Sequence, residues 1–281
     1  MKTYLECLPC FMNQALRAGR IATEDETIVK KLLNEVGMMI PKIPMEQSPP
    51  ETGTFIYRKI SELTGNSDPY RQIKNTNISK ALELYPKFKK MVLESEDCLL
   101  MAIRIAIAGN IIDLGTGKKF DIEKDIDKVL HQDLAIFHYT QFKEKLEKAN
   151  KILYIADNAG EAVFDKILIE ELGKPVHFIV REIPVINDVT MKEAKIIGID
   201  RIANVISSGS LAPGTILKNC DKNFVEMFRN ADLIISKGQG NYESLSNEAE
   251  EIFFLLKAKC NVIARDLGVK ENDIVLKYSK K

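Results

Sequence analysis

The sequence specifies an α/β protein: a mostly parallel sheet covered by helices on both faces, preceded by an all-helical domain. Three observations carry that expectation. Up to about residue 150 the apolar residues recur at helical spacing. From Lys151 onward, short runs rich in Ile and Val alternate with helical stripes, the pattern of strands joined by crossover helices. The loops after four of those runs share acidic, amide or glycine-rich chemistry.

In chain order, "LPCFMNQAL" places Leu8, Phe11, Met12, Ala15 and Leu16 on one helical stripe, and "ETIVKKLLNEVGMMI" repeats it. "SPPETGTFIYRKISELTG" opens on prolines and closes on glycine, the punctuation of a helix. Further helices are expected near 68–82, 96–112, 121–132 and 138–149. Strands are expected at "KILYIA", "VHFIVR", "NVIS", "DLIIS" and "IFFLLK", with helices near 161–172, 189–197, 221–230 and 242–251 between them. The lysine-rich end, "KYSKK", reads as a frayed tail. Two domains follow, a helical one over 1–150 and an α/β one over 151–281 whose layers form a Rossmann-like three-layer α/β/α sandwich.

Composition narrows the function classes. The 281 residues are 45% apolar and 28% charged, the profile of a chain with a substantial core. Forty basic residues balance forty acidic ones, which gives no electrostatic argument for nucleic acid or an anionic membrane. The most apolar window, "CLLMAIRIAIAGNIIDLG", is interrupted by Arg104, Asn110 and Asp113 and reads as a core helix, not a membrane span. "MKTYLECLPCFMNQAL" lacks the features of a signal peptide, and five cysteines do not suggest a disulfide framework. The expectation is a cytoplasmic protein with reduced thiols.

Ligands in open α/β sheets bind outside the carboxyl ends of the strands. Asp157-Asn158-Ala159-Gly160-Glu161 follows the first expected strand, "EIPVIND" with Asn187 and Asp188 the second, "SGSLAPGT" the third, and Lys237-Gly238-Gln239-Gly240-Asn241 the fourth. Asp157, Asn158 and Asp188 offer hard oxygen ligands suited to Mg²⁺ or Mn²⁺. Lys237, beside Gly238 and Gly240, suits a phosphate. A cation beside an anion cradle is what phosphoryl transfer to water requires. Each loop also has a plainer reading, since Asp157, Asn158, Asp188 and Asn241 all precede helices and belong to the residue types that cap them. Clustering on one sheet edge, with a lysine among them, favours a site.

"ADNAGE" at 156–161, "PVIND" at 184–188, "KGQGNYE" at 237–243 and "AGNIIDLG" at 108–115 together resemble the metal-dependent damage-control phosphatases, the family that includes the ARMT-like proteins. The resemblance implies a helical domain against an α/β sandwich and hydrolysis of phosphate monoesters of small metabolites, sugar phosphates or phosphopantetheine-type compounds, with Mg, Mn, Co or Ni. It assigns the metal to Asp157, Asn158 and Asp188 and the substrate phosphate to Lys237. Gly238, Gly240 and Asn241 are expected to join Lys237 at the substrate; Asn110 and Asp113 either pair with Arg104 or helix ends within the protein or touch substrate from the helix end, and the resemblance favours the second. Glu161, a first-turn acid, either orients a ligand or water or complements the helix dipole. A branch of the family also carries an N-terminal CxxC, as Cys7 and Cys10 do here.

The paired acids typical of phosphoaspartate enzymes are absent, so activated water is the favoured nucleophile. Competing readings are a nucleotide- or S-adenosylmethionine-dependent enzyme, for which "DNAGE" supplies one glycine of the usual fingerprint, and a metal- or metabolite-binding module without catalysis. Arg181 reads as surface charge, and Cys7, Cys10, Cys98, Cys220 and Cys260 read as small core residues.

Overall fold

The computed structural model describes residues 1–109 and 130–280. Its N-terminal part is helical, as the apolar stripes require: α1 (Cys7–Ala22), α2 (Glu26–Met39), α3 (Pro49–Thr64), α4 (Arg71–Leu93) and α5 (Cys98–Ala108). Local chemistry sets the bounds of α3. Ser48 and Glu51 close a capping box, Pro49 and Pro50 fill the first turn, where an N–H has no helical partner, and Gly65 ends the helix with positive φ. Phe11, Leu32, Val36, Ile56 and Ile60 give these first helices an apolar cluster of their own.

One seven-stranded sheet follows: β1 (Leu134–Phe137), β2 (Ile152–Ile155), β3 (Val176–Val180), β4 (Asn204–Ser207), β5 (Leu233–Lys237), β6 (Ile252–Lys257) and β7 (Ile274–Ser279). Between the strands run α6 (Tyr139–Lys148), α7 (Ala162–Leu172), α8 (Met191–Ile197), α9 (Lys222–Arg229), α10 (Gln239–Leu245) and α11 (Asn261–Leu267). Strand order is β1-β7-β6-β5-β2-β3-β4, and every pairing is parallel except β6 with β7. The chain builds outward from β2 through β3 to β4, then returns to the other side of β2 as β5. The β2/β5 boundary is therefore a topological switch point, where connections leave in opposite directions and a crevice opens.

Alternate side chains leave each strand on opposite faces. Tyr154, Phe178, Ile235 and Phe253 pack under α4, α5 and α7, while Leu153, Ile155, Ile179, Ile234 and Phe254 pack under α9, α10 and α11. The expected sandwich, helices on both faces of a mostly parallel sheet, is what forms. No helix among the described residues is long and apolar enough to cross a membrane.

The structure differs from the sequence reading at the first and last strands of the chain, which pair with each other at one edge of the sheet. Leu134–Phe137 lies inside the stretch expected to be helical, so the sheet takes its first strand before residue 150. That strand is only four residues long and sits at the sheet edge with alternate residues exposed, so its apolar run is too short to stand out between helical stripes. The expected frayed tail is the end of β7, where Lys277, Tyr278 and Ser279 pair with Phe254, Phe253 and Ile252. Asn261–Leu267 is a helix that no stripe announced, and the helix expected near 242–251 begins at Gln239 and ends at Leu245. Asn110, Asp113 and most of the helix expected near 121–132 lie outside the described residues.

Phe164 ties the helical layer to the sheet. It is fully buried on α7, meets Phe88 of α4 edge to face at 5.6 Å, and lies so close to Gly109 that an added Cβ there would be 3.0 Å from its ring. Phe164→Ala should lower unfolding free energy by about 3–5 kcal/mol in urea titrations, as a cavity in a close-packed core does. A loss below about 1 kcal/mol would mean this contact does not hold the layers together.

Candidate active site

The ends of β2 and β3 are zipped together beyond the sheet. Val189 N–H donates to the Asp157 carbonyl at 2.9 Å, Ala159 N–H to the Asn187 carbonyl at 2.8 Å, and Arg181 N–H to the Val189 carbonyl at 3.0 Å. Asn158 and Asp188 stand opposite each other in an antiparallel bridge. The three expected oxygen ligands, about thirty positions apart in sequence, thus meet in one place. Helix capping does not account for them. Glu161 is the N-cap residue of α7 and makes no side-chain cap, and α8 is capped by Thr190, which closes a capping box with Glu193.

Asp157 and Asp188 are both buried. Burial, then the field of Asp188, then that of Glu161 push the Asp157 carboxyl well above the usual carboxylate range. Burial also raises Asp188, although Arg181 pulls it back. The Asn158 amide nitrogen donates to Asp157 Oδ2 at 3.0 Å and Glu161 Oε2 at 3.3 Å, so its carbonyl oxygen is the atom it would offer a cation. Among the described residues no three carboxylate, thiol or imidazole groups converge as a metal cage. Two carboxylates and one amide oxygen nonetheless fit a small hard cation that keeps several of its waters.

Lys237 has a different place from the one its glycine-rich loop suggested. It is the last residue of β5, fully buried, and donates to Glu161 Oε1 at 2.5 Å, Asp165 Oδ1 at 2.5 Å and the Ala106 carbonyl at 2.9 Å. Those bonds use all three ammonium protons, and the residue does not line the cavity described below. Burial would lower its pKa, but Asp165 and Glu161 outweigh that and hold it at about 12. Glu161 accordingly bridges Asn158 to Lys237, behind the cavity wall. Asp165 was missed, although an acid one turn after Glu161 in the apolar stretch "AVFDKIL" is a legible signal.

Arg181 is buried, not a surface charge. Its Nε donates to Asp188 Oδ2 at 2.7 Å, and its terminal nitrogens donate to Thr215 Oγ1 at 2.8 Å and Asn241 Oδ1 at 2.9 Å. Asn241 in turn donates to the Ala156 carbonyl at 3.0 Å and the Lys237 carbonyl at 2.8 Å. Asn241 is therefore spent on joining β2, β3 and β5, and is fully buried instead of meeting substrate as expected. Gly238 lies under the Asp157 carboxylate: with φ +78°, it would place a Cβ 2.0 Å from Asp157 Oδ2. Only glycine fits there. Gly240, by contrast, does line the cavity. Ile186, just before Asn187-Asp188, has φ 47°, a costly conformation for a β-branched side chain, and packs against the helical cluster.

A cavity of about 330 Å³ opens over Asp157, Asn158 and Asp188, roofed by α1 and α3. Arg17 and Lys259 bring positive charge to it, and Gln239 and Glu243 form part of its wall. Arg17 and Lys259 carry no local sequence signal, because packing brings them in, whereas Gln239 and Glu243 lie within "KGQGNYE" and were not singled out. Cys10 also lines the cavity and is exposed; Cys7, Cys98, Cys220 and Cys260 are half-buried, and all five thiols are free.

A model of the damage-control phosphatase ARMT1-like domain matches residues 3–275. The chain belongs to that family. Among damage-control phosphatase relatives, a Pyrococcus horikoshii protein is 36% identical over 100% of this chain and 99% of its own, and an Archaeoglobus fulgidus one is 30% identical over 99% of each. An uncharacterized Methanocaldococcus jannaschii protein is 37% identical over 96% of this chain and 93% of its own. The crystal structure of a DUF89 family protein from P. horikoshii superposes with a TM-score of 0.92 at 34% identity, covering 100% of both chains. Membership in the damage-control phosphatase family supports a phosphatase role for this chain.

Removing Lys237 would leave two buried carboxylates without their cation. Lys237→Ala should therefore cost about 3–5 kcal/mol of stability in denaturant titrations. A variant as stable as the parent, with weakened substrate binding as its main defect, would return Lys237 to the substrate.

Proposed function

We propose that the protein is a divalent-metal-dependent phosphatase that hydrolyses phosphate monoesters of small metabolites, such as sugar phosphates or phosphopantetheine-like compounds. One observation carries the reading. Two buried carboxylates, Asp157 and Asp188, arrive from different strand ends at the floor of a cavity that also holds Arg17 and Lys259.

Charge supports a cation at that floor. Asp157, Glu161, Asp165 and Asp188 are buried there, against the buried cations Lys237 and Arg181. Fully ionised, the acids exceed the bases by two, and a buried unpaired charge is costly. Nearby, Lys74 holds both Asp68 and Glu193 at 3.2 and 2.9 Å, so the next layer does not supply the missing positive charge. Asp157, Asn158 and Asp188 would hold the ion; Mg²⁺ or Mn²⁺ suits all-oxygen ligands, and Co²⁺ or Ni²⁺ is accommodated by the same set. When bound, such an ion polarises a phosphoryl oxygen as a Lewis acid.

The remaining work falls to the chain. Arg17 and Lys259 hold the phosphate oxygens and offset the negative charge that grows as the ester bond breaks. These two take the place the sequence gave to Lys237. A volume of about 330 Å³ suits a small ester, near the lower end of ligand pockets. The walls supplied by α1 and α3 select the alcohol.

Purified protein assayed with p-nitrophenyl phosphate and a metal panel should show turnover that Mg²⁺, Mn²⁺, Co²⁺ or Ni²⁺ restores after chelation. Asp157→Asn and Asp188→Asn should each lose at least about 100-fold, the scale of a lost transition-state charge stabiliser. Turnover that ignores chelator, or survives both substitutions, would rule out the metal reading.

A further inference from the structure

Glu243 is a carboxylate of the cavity wall that stands apart from Asp157 and Asp188. We propose that Glu243 is the general acid that protonates the leaving-group oxygen of the phosphate ester; the assignment rests on the phosphatase reading above.

Its position follows from α10. Gly238, immediately before that helix, carries the Asp157 carboxylate against its Cα, so α10 starts at the metal-binding floor. Gln239 and Glu243 are four residues apart on one helix face, and both line the cavity. A helix rises about 6 Å over that interval. Glu243 is thus set about one turn away from Asp157, along the wall. An ester whose phosphoryl oxygens meet the floor has room between the two for its bridging oxygen.

The carboxyl is also held and tuned. Gln239 Nε2 donates to Glu243 Oε1 at 2.8 Å, while the Gln239 amide oxygen accepts from Lys259 N–H at 3.2 Å. This fixes Oε1 and leaves Oε2 to carry the proton. The groups facing Glu243 from other elements are the Cys7 thiol of α1 and the Met1 amine, which donates to the Glu243 carbonyl at 2.9 Å. Lys259 and Cys260, before α11, reach the same wall through Gln239. Burial pushes the carboxyl up to about 7, against the Gln239 hydrogen bond and the pull of the amine. An acid of that strength is still substantially protonated near neutrality and transfers its proton readily. Asp157 and Asp188, raised by burial and held by Asn158 and Arg181, are committed to the floor. Carboxylates in one pocket with separate environments divide the acid and ligand roles.

In the step itself, a water oxygen forms the new bond to phosphorus and the ester P–O bond breaks. The electron pair passes to the alcohol oxygen, which takes the proton from Glu243 Oε2. The proton released by the attacking water restores the carboxyl. The sum is ester plus water giving alcohol plus phosphate.

Leaving groups of different basicity test this. p-Nitrophenolate leaves as a stable anion and needs little protonation; the alkoxide of a hexose phosphate needs it fully. Glu243→Gln should lower kcat for the hexose phosphate about 100- to 1000-fold, and the ratio of hexose to p-nitrophenyl turnover should fall at least about 10-fold. Mn²⁺ affinity measured by calorimetry should stay as in the parent. The parent should lose hexose phosphate turnover as pH rises through about 7, where Glu243 gives up its proton, and the variant should lack that limb. If Glu243→Gln does not fold, Glu243→Asp keeps the proton but retracts it, and must still lower the ratio. An unchanged ratio, with Mn²⁺ binding intact, overturns the general acid and leaves the phosphatase reading standing. Parent protein that hydrolyses neither ester with any metal overturns both.

Discussion

The structure depends on a concentration of acids that the protein buries at the carboxyl end of its sheet. Asp157, Glu161, Asp165 and Asp188 are at most 8% exposed, yet two internal cations, Lys237 and Arg181, face them. Such a group is expensive to desolvate. Much of the neighbouring architecture reduces that cost without removing it. Lys237 spends all its donors on two of the acids and the end of α5, and Tyr154 donates to Asp165 Oδ1 at 2.7 Å from within the sheet. Arg181 does the same for Asp188 while gripping Thr215 and Asn241. The remaining negative charge faces the cavity, where a cation and a phosphate ester would meet.

The topology explains why this place carries the site. At the switch between β2 and β5 the connecting loops diverge, and neighbouring strand ends present side chains to a common crevice. Asn241, Arg181 and Gly238 then fix the spacing of β2, β3 and β5 to within hydrogen-bond tolerance. The helical part contributes from above. It supplies Arg17 and most of the roof, and it packs against Ile186, whose strained backbone immediately precedes Asn187-Asp188. Ligand geometry here is therefore a joint product of sheet and helices, and strain at Ile186 is retained because both sides constrain it.

The sequence made the sheet legible where strands are buried on both faces. β2, β3, β5 and β6 are nearly continuous apolar runs, and they were found, as was the short edge strand β4; β1, four apolar residues with alternate ones exposed, and β7, whose end is polar, lie at the other edge and were not. The loop oxygen donors Asp157, Asn158 and Asp188 were legible as a group because strand ends in a parallel sheet share one edge. Lys237 shows the limit of that reasoning. Its loop identifies the right end of the sheet, but a strand residue's facing depends on register, and one position decides between cavity and core. Asn241 was misjudged similarly, since one amide can serve substrate or scaffold with the same local sequence. Arg17 and Lys259 reach the cavity through packing of α1 and of the segment before α11, which no local motif records, while Glu243 closes "KGQGNYE" but was not singled out.

The most direct test of the account is anomalous diffraction from crystals of this protein grown with Mn²⁺. One strong peak per chain is predicted, within about 2.1–2.3 Å of oxygens from Asp157, Asn158 and Asp188, at distances between those of Mg²⁺ and Ca²⁺. No peak at that floor under saturating metal, or a peak bound by other residues, would contradict the claim that these buried acids were gathered to hold a cation.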